Sequence, residues 1–288
     1  MRLSRIFHPN RPRYDEIVAA AYAASRTDPA SARPHGLPLP LIVSLTSYPP
    51  RFATLIHTLR SLLLQDTRPD AIELYLVEAD AGALPQEVLD LGSDGLQMRF
   101  TGADIGPYNK YVPARIAHPD AIIVTVDDDV YYQPTWLGEL ISEWAPDQRL
   151  VLTNRAHRLV ATQDGTPLPF RHWPRAITDN RADWTVVPAG NGGTLYPPGI
   201  HHPDLFRQDR FMSLCPGTDD IWFYWMALLT GASFRKVGPP YHLITWSGSQ
   251  RHALWRTNFK GGNDRAVAAM VAAYGTPRSL SSSSAGSG

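Results

Sequence analysis

Three consecutive aspartates, Asp127, Asp128 and Asp129, follow directly after a run of apolar and β-branched residues at positions 121–126. Such a run predicts a buried strand, so the carboxylates come where that strand ends. Adjacent carboxylates repel one another, and a fold that holds them at a strand end neutralises them with a cation or with hydrogen-bond donors. Asp127 and Asp129 have the alternate spacing that lets two carboxylates share one hard cation. The junction therefore predicts a site for Mn2+ or Mg2+, and the alternative is a solvated acidic turn.

The composition narrows the class of protein. The chain has 288 residues and is 43% hydrophobic, enough to bury the core of one large domain. Its 27 Lys and Arg balance 27 Asp and Glu, whereas nucleic-acid-binding proteins usually carry a basic excess, so we expect no nucleic-acid partner. Cys215 is the only cysteine, which excludes an intramolecular disulfide and a cysteine-based zinc cluster. No segment approaches the about 20 apolar residues that span a bilayer, and no signal peptide is evident, so we expect a cytoplasmic protein.

The two ends of the chain differ in composition from the segment between them. Residues 39–275 are predicted to form one domain, and the Ser- and Gly-rich residues 276–288 a disordered tail. Residues 1–38 form an extension whose arginines suit peripheral contact with the inner face of the cytoplasmic membrane. The alternative is an extension packed on the outside of the domain. The arginines are Arg2, Arg5, Arg11, Arg13, Arg26 and Arg33.

Strands and helices alternate through the first half of the chain. Residues 52–63 repeat apolar side chains on one helical face, and Pro134 opens another helix after the aspartates. This alternation predicts an α/β fold with a mostly parallel central sheet and right-handed crossovers. Ligands of such sheets bind beyond the carboxyl ends of the strands. The predicted strands lie at residues 39–46, 72–77, 96–100 and 121–126.

The second half of the chain has a different pattern. Short strands are predicted near residues 150–153 and 185–187, separated by loops rich in Pro, Trp, His and Arg. One strong helix, at residues 219–229, begins with Asp219 and Asp220. We expect this half to form the acceptor site.

Four segments together resemble a known family, the GT-A-fold glycosyltransferases with a DxD motif. More narrowly, the chain is similar to bacterial glycosyltransferases that assemble surface polysaccharide, and the start of its aspartate-rich helix is similar to that of exostosin-like transferases. The resemblance covers roughly residues 39 to 265 and implies the GT-A fold, a single Rossmann-like α/β/α sandwich with a mostly parallel central sheet. The matching segments are residues 43–48 with Arg51, 126–130, 190–193 and 218–222.

The resemblance implies a nucleotide-diphosphate sugar donor, most simply a UDP-sugar, with Mn2+ or Mg2+ on its diphosphate. It implies that Asp129, with Asp127, ligates the metal, and that Asp128 lies nearer the ribose or the sugar. In some relatives a C-terminal histidine, here His242 or His252, completes the metal shell. The loop after the first strand would contact the nucleobase and ribose, and its hydroxyls, aromatic ring and guanidinium also suit a nucleoside on chemical grounds. These loop residues are Thr46, Ser47, Tyr48 and Arg51.

Two further features are candidates for donor contacts. Lys110 lies just before the fourth predicted strand, where its ammonium would meet a phosphate or the aspartates; the alternative is a surface lysine. The segment of residues 190–193 lacks the strand–turn–helix context of a phosphate loop. Its glycines, Gly192 and Gly193 in particular, would permit close approach of the backbone to a sugar, and the alternative is a tight turn.

Asp219 and Asp220 are the candidate catalytic pair. Carboxylates at a helix start accept backbone N–H bonds and meet the positive end of the helix dipole, which explains one of the two structurally. The resemblance implies that Asp220 is the base of an inverting enzyme, taking the proton from the acceptor hydroxyl. Exostosin-like relatives retain configuration, so inversion is only slightly favoured over retention.

The sequence thus predicts a metal-dependent glycosyltransferase of the hexosyltransferase type. Its acceptor would be a glycan or lipid-linked glycan in bacterial surface polysaccharide biosynthesis, that is, LPS O-antigen or capsule. One alternative is a nucleotidyltransferase acting on sugar phosphates, which should carry a Gly-rich basic loop after the first strand. The other is a noncatalytic carbohydrate-binding protein on the same scaffold.

Overall fold

The computed structural model describes residues 11–26, 32–146, 149–252 and 255–284 of the chain. Of residues 11–13, 252, 256 and 282–284 it describes the backbone but not the side chains. Four of the six arginine side chains of the predicted extension, the His252 side chain and the last residues of the predicted tail therefore lie outside the described part.

The chain forms eleven strands and ten α-helices within the described residues. The strands are β1 (Arg33–Pro34), β2 (Leu41–Thr46), β3 (Thr67–Arg68), β4 (Ala71–Val77), β5 (Leu96–Thr101), β6 (Ile122–Thr125), β7 (Leu150–Thr153), β8 (Ala156–Arg158), β9 (Val186–Pro188), β10 (Thr194–Tyr196) and β11 (Ser233–Lys236). The helices are α1 (Arg11–Ser25), α2 (Phe52–Leu63), α3 (Gln86–Leu89), α4 (Val112–Ala117), α5 (Trp136–Ile141), α6 (Gln208–Leu214), α7 (Asp219–Leu228), α8 (Trp255–Thr257), α9 (Asn263–Tyr274) and α10 (Pro277–Ser284).

Seven strands form the central sheet, in the order β11-β7-β10-β6-β2-β4-β5. Strand β10 is antiparallel to both of its neighbours, and every other neighbouring pair in this sheet is parallel. Two small sheets, the parallel pair β1-β3 and the antiparallel pair β8-β9, lie outside it. The predicted α/β class with a mostly parallel central sheet is confirmed.

Apolar side chains cover both faces of the sheet. On one face, Ile42 and Ile123 pack with residues of α4, α7 and α9. On the other face, Val43 and Val124 pack with residues of α2 and α5. Successive residues of a strand point to opposite faces, so β2 and β6, which are covered on both sides, carry apolar residues at most of their positions. The result is the α/β/α sandwich that the GT-A resemblance implied.

Prolines lie near the starts of two helices. Residues 106–117 form a 3-10 helix, Gly106–Lys110, and α4, with Pro113 in the first turn of α4, where its missing N–H costs no hydrogen bond. The helix predicted to open at Pro134 begins at Trp136 as α5.

The two ends of the described chain pack on the domain. Helix α1 buries Val18 and Tyr22, and the Arg60 guanidinium of α2 lies 5.3 Å from the centre of the Tyr22 ring. Residues 277–284, which we predicted to be disordered, form α10, and Leu280 packs against the core cluster that contains α7. The structure thus has a helix at residues 277–284, within the segment where the sequence predicted a disordered tail. No described helix is long and apolar enough to cross a bilayer.

Candidate active site

Arg51 and Ser47 neutralise the acidic turn that follows β6. The Ser47 hydroxyl donates to Asp128 Oδ2 at 2.6 Å, and Arg51 Nη1 lies 3.5 Å from Asp128 Oδ1 and 2.5 Å from Asp129 Oδ2. Asp128 and Asp129 are 8% and 7% exposed. Burial raises the pKa of both carboxyl groups, and the Arg51 guanidinium opposes that rise. The polar atoms of Ser47 and Arg51, predicted nucleoside contacts, are thus directed at the aspartates.

Lys110 connects the acidic turn to the start of α7. Its Nζ lies 2.9 Å from Asp127 Oδ1 and 2.8 Å from Asp219 Oδ2, and the residue is only 5% exposed, so it is not a surface lysine. Burial alone would lower the pKa of Lys110, but the carboxylates of Asp127, Asp219 and Asp220 hold it well above its ordinary value. The Ser44 hydroxyl of β2 donates to Lys110 O at 2.6 Å and fixes the 3-10 helix that carries the ammonium.

Gly190 gives Asp220 its position. The Gly190 N–H donates to Asp220 Oδ2 at 3.0 Å. A Cβ at Gly190 would lie 2.7 Å from Asp220 Oδ1 and 3.0 Å from Lys110 Nζ, so only glycine leaves room for both groups. Burial and the neighbouring Asp219 raise the pKa of Asp220 to about 7. The sequence drew attention to the glycine-rich segment but not to Gly190 as its functional member.

Asp219 and Asp220 both have partners outside α7. Asp219 pairs with Lys110, and Asp220 accepts the Gly190 N–H. The residue before them, Thr218, makes no side-chain capping bond. The carboxylates at this helix start therefore face the space between α7 and the acidic turn after β6, which is called the crevice below.

Gly192 and Gly193 have protein neighbours where a sugar contact was predicted. A Cβ on Gly192 would overlap Arg155, and one on Gly193 would overlap the Trp136 indole. The indole Nε1 of Trp136 donates to Gly192 O at 2.8 Å, and Gly193 has a φ of 85°, a conformation that favours glycine. The close approach that these glycines allow is to Arg155 and Trp136, which leaves no space for a sugar on that side.

Two loop residues after β2 have different exposure. The Thr46 hydroxyl donates to Tyr75 O at 2.8 Å and so belongs to the β2–β4 pairing. The Tyr48 side chain is 39% exposed and presents ring surface at the edge of the crevice. Of the loop residues predicted to contact a nucleoside, Tyr48 is the one whose surface is available for stacking.

A C-terminal segment, residues 244–250, covers the acidic turn. The Trp246 N–H donates to Asp129 O at 3.2 Å, and the Gln250 amide donates to the Asp129 carboxylate. Trp246 is 1% exposed, and its indole Nε1 donates to Thr58 Oγ1 of α2 at 2.7 Å. The sequence analysis did not identify Gln250 as a partner of Asp129, because the two residues lie far apart in the chain.

The predicted metal shell of Asp127, Asp129 and His242 is not formed. No group of three or more His, Cys, Asp or Glu side chains is placed to hold a metal ion within the described residues, and His242 is exposed. Mg2+, however, is usually held by one or two carboxylates together with substrate phosphates, so a full protein cage is not required. The Asp127 side chain is 33% exposed, whereas Asp129 is held by Arg51 and Gln250. The oxygen donors fit a hard cation, with Asp127 as the accessible ligand.

Comparisons with known proteins find likeness in architecture only. No protein-family model and no curated protein sequence matches the chain. S. aureus TarS 1-349, solved in complex with UDP, is 15% identical with a TM-score of 0.49, and the match covers 86% of this chain and 71% of that one. The mannosyltransferase PcManGT from Pyrobaculum calidifontis, solved with GDP-Man and Mn2+, is 12% identical with a TM-score of 0.45, over 96% of this chain and 88% of that one. UDP, GDP-Man and Mn2+ are ligands of those two proteins.

Proposed function

We propose that this chain is a GT-A-type glycosyltransferase that moves a sugar from a nucleotide-diphosphate sugar to a glycan or lipid-linked glycan acceptor. One observation carries the proposal: the Lys110 ammonium joins the acidic turn after β6, through Asp127, to the acidic start of α7, through Asp219. Inverting glycosyl transfer needs a cationic anchor for the leaving diphosphate and a base for the acceptor hydroxyl. The Lys110 ammonium would supply the positive charge, and Asp220, next to Asp219 at the start of α7, would supply the base.

The donor side of the site lies at the carboxyl ends of β2 and β6. Asp127 and Asp129 would hold Mn2+ or Mg2+, which when bound supplies positive charge to the departing diphosphate. Lys110 adds a fixed ammonium beside Asp127. The exposed Tyr48 ring offers a stacking surface for the base of a UDP-sugar.

Asp220 is the proposed base. Its raised pKa of about 7 places it near the pH at which a general base works best, and the Gly190 N–H orients its carboxylate. Asp220 would take the proton of the acceptor hydroxyl as that oxygen bonds to the anomeric carbon and the bond to the diphosphate breaks. This displacement inverts the configuration. The alternative is retention, which the similarity to exostosin-like transferases implies.

The biological role that we propose is assembly of a bacterial surface polysaccharide, either LPS O-antigen or capsule. The support is the resemblance of the segments that contain Asp127, Asp128 and Asp129 and Asp220 to transferases of that kind. The acceptor is then a growing glycan, free or linked to a lipid, met at the inner face of the cytoplasmic membrane.

The first test is thermal unfolding with a panel of UDP-, GDP-, CMP- and dTDP-sugars, with and without Mn2+. A ligand that binds only the folded state raises Tm by mass action. We expect sugars of one nucleotide class to raise Tm only when Mn2+ is present. We expect Asp127→Asn to abolish this rise in Tm. Asp164→Asn, a change at an exposed aspartate, is the matched control. No shift with any sugar nucleotide would contradict the proposal.

The second test follows product. Transfer releases a nucleoside diphosphate in the presence of acceptor, whereas a nucleotidyltransferase releases pyrophosphate from a nucleoside triphosphate and a carbohydrate-binding protein releases neither. We expect Asp220→Asn to lower turnover by about 10²- to 10⁴-fold, the usual contribution of a positioned base, while the donor-induced rise in Tm remains. Unchanged turnover would remove Asp220 from the reaction.

A further inference from the structure

Arg155 lies at the same edge of the sheet as the acidic turn. It follows β7, which is parallel to β6 because β10 is antiparallel to both, so the carboxyl ends of β6 and β7 lie at one edge. Its Nη1 donates to Asn191 Oδ1 at 2.8 Å, one residue after the Gly190 whose N–H holds Asp220. The half-buried guanidinium of Arg155 is therefore a neighbour of the proposed base.

A second arginine, Arg175, is held in place by β8. Backbone hydrogen bonds of 2.9 Å and 3.0 Å join residues 174–177 to this strand, and the Ala176 N–H donates to His157 Nδ1 at 3.3 Å. Ala176 has a φ of 50°, the only positive φ at a non-glycine residue in the described part of the chain. These contacts therefore hold a backbone conformation that is unfavourable for alanine. They fix the position of Arg175, whose positive charge acts on Arg155.

The two guanidinium groups have no carboxylate partner. Among the described residues, no Asp or Glu oxygen lies within 4.0 Å of Arg155 or Arg175, whereas Arg158 of β8 pairs with Asp179 at 2.6 Å. Burial lowers the pKa of Arg155, the carboxylate of Asp220 opposes this change, and the charge of Arg175 adds to it. Positive charge in a half-buried position is costly unless an anion compensates it. The arginine pair therefore favours an anionic ligand.

An exposed aromatic ring adjoins the arginine pair. Arg175 Cζ lies 5.1 Å from the centre of the Phe259 ring, and Phe259 is 44% exposed. The Phe170 ring packs edge-on against the Phe259 ring, with 5.3 Å between their centres. An aromatic face that remains exposed is suited to packing against the apolar C–H face of a sugar. The surface thus combines donors for an anion with a ring for the sugar that carries it.

We propose that Arg155 and Arg175 bind an anionic group, a phosphate or a carboxylate, on a sugar unit of the acceptor, an inference that rests on the proposed glycosyltransferase function. The planar guanidinium groups donate pairs of hydrogen bonds to the anion, and the sugar ring packs against Phe259. Arg155 lies beside Asp220, where the acceptor hydroxyl is proposed to react, whereas Lys110 and Asp127 are on the donor side. The acceptor is then an acidic glycan, selected by its charge.

The experiment measures binding of glucose 6-phosphate, glucuronate and glucose to the full chain by saturation-transfer NMR titration. We expect at least one of the two anionic sugars to bind, and glucose to bind at least about tenfold more weakly, because it lacks the charged acceptor of the guanidinium hydrogen bonds. The affinity for the anionic sugar should fall as NaCl is added, because salt screens the attraction. The anionic sugar that binds identifies the group as phosphate or carboxylate.

Three variants locate the site. Arg155→Gln and Arg175→Gln should each weaken binding of the anionic sugar by about tenfold, through loss of charged hydrogen bonds. Phe259→Ala should weaken binding of the anionic sugar but not of inorganic phosphate, which has no ring to pack. Arg68→Gln is the matched control, because Arg68 is an exposed arginine of β3, just before the amino end of β4 and away from the carboxyl edge.

The arginine variants also separate a binding role from a structural one. Neither change removes a partner from a carboxylate among the described residues, so Tm without ligand should stay close to that of the wild type. If Arg155→Gln does not fold, Arg175→Gln decides the question, because Arg175 is exposed. Binding of the anionic sugar that survives both arginine variants overturns the assignment.

The outcomes separate this inference from the proposed function. If a sugar nucleotide raises Tm but no anionic sugar binds, or glucose binds equally well, the arginine site is overturned and the transferase proposal stands. If an anionic sugar binds through the two arginines while no sugar nucleotide raises Tm, the site for an acidic sugar stands and the transferase proposal fails. If Arg175→Gln abolishes the donor-induced rise in Tm, the arginines hold the donor diphosphate and the acceptor site is overturned.

Discussion

At the scale of single residues, the site depends most on the buried ammonium of Lys110. Burying a charge is costly, and the cost is offset only when close partners of opposite sign remain in place. Lys110 has two such partners within 2.9 Å, one on each side of the crevice. The same residue therefore holds the acidic turn after β6 and the start of α7 together.

We predict that Lys110→Met lowers the free energy of unfolding by about 3 kcal/mol, because it leaves the carboxylates of Asp127 and Asp219 without their cation. The measurement is urea denaturation at neutral pH, compared with wild type. Lys260→Met, at an exposed lysine, should change the free energy by less than about 0.5 kcal/mol. Equal stability of Lys110→Met and wild type would show that the ammonium does not hold the two acidic groups.

We predict that Gly190→Ala lowers turnover by about 100-fold, the cost of displacing a reacting group by about 1 Å. The new methyl group would lie 2.7 Å from Asp220 Oδ1, so the carboxylate has to move. The donor-induced rise in Tm should persist, since Asp127 is not displaced. Gly82→Ala is the matched control, because nothing lies within 4 Å of the added Cβ and its φ is not positive. An equal effect of both changes would argue against a specific role for Gly190.

At the scale of elements, the sequence predicted the parallel half of the sheet well. Strands β2, β4 and β6 are mostly apolar runs that are buried on both faces, and that requirement is visible in the residues themselves. Strand β5, at the edge of the sheet, is mostly exposed. Strand β10 was not predicted, because its three residues are too few to show a period. Hydrogen bonds to β6 and β7 stabilise this strand, and local sequence patterns do not reveal pairing between residues that are distant in the chain.

The sequence predicted which residues of the candidate site lie at strand and helix ends, but it did not predict which of these residues contact one another. The sequence placed Asp127 and Asp220 at a strand end and a helix start, where the structure has them. It did not pair Arg51 with Asp129 or assign Gly190 to Asp220, because each contact joins residues distant in the chain. Residue type and local period identify which groups lie at an edge, whereas the tertiary fold decides which of them meet.

We predict that the segment 244–250 is a local unit of stability. The Tyr131 amide donates to Ile244 O at 3.0 Å, and Trp246 fixes the segment to Thr58. Trp246→Ala should speed hydrogen exchange of the Tyr131 amide by about 100-fold or more, because it empties the buried anchor. Exchange of the central β6 amides should change much less. A uniform increase across β6 would mean that the segment and the sheet unfold together.

At the scale of the whole molecule, acid should weaken the fold through a buried histidine. His157 is 8% exposed, and burial together with Arg155 and Arg175 lowers its pKa to about 3. In the unfolded chain it binds a proton near pH 6.5, whereas in the fold it stays neutral. Between about pH 6.5 and pH 3 its contribution to stability therefore falls by about 1.4 kcal/mol for each pH unit as the pH decreases.

The prediction is tested on the difference between wild type and His157→Gln, because other groups titrate with the opposite sign in the same range. Asp128 and Asp220 have raised pKa values in the fold, so they bind protons more readily there than in the unfolded chain and stabilise it as the pH falls. Subtracting the variant's unfolding free energy removes these terms. The difference should fall as the pH drops from 6.5 to 5. A flat difference would mean that the fold does not lower the pKa of His157, so that the imidazole takes up its proton equally in the folded and unfolded chain.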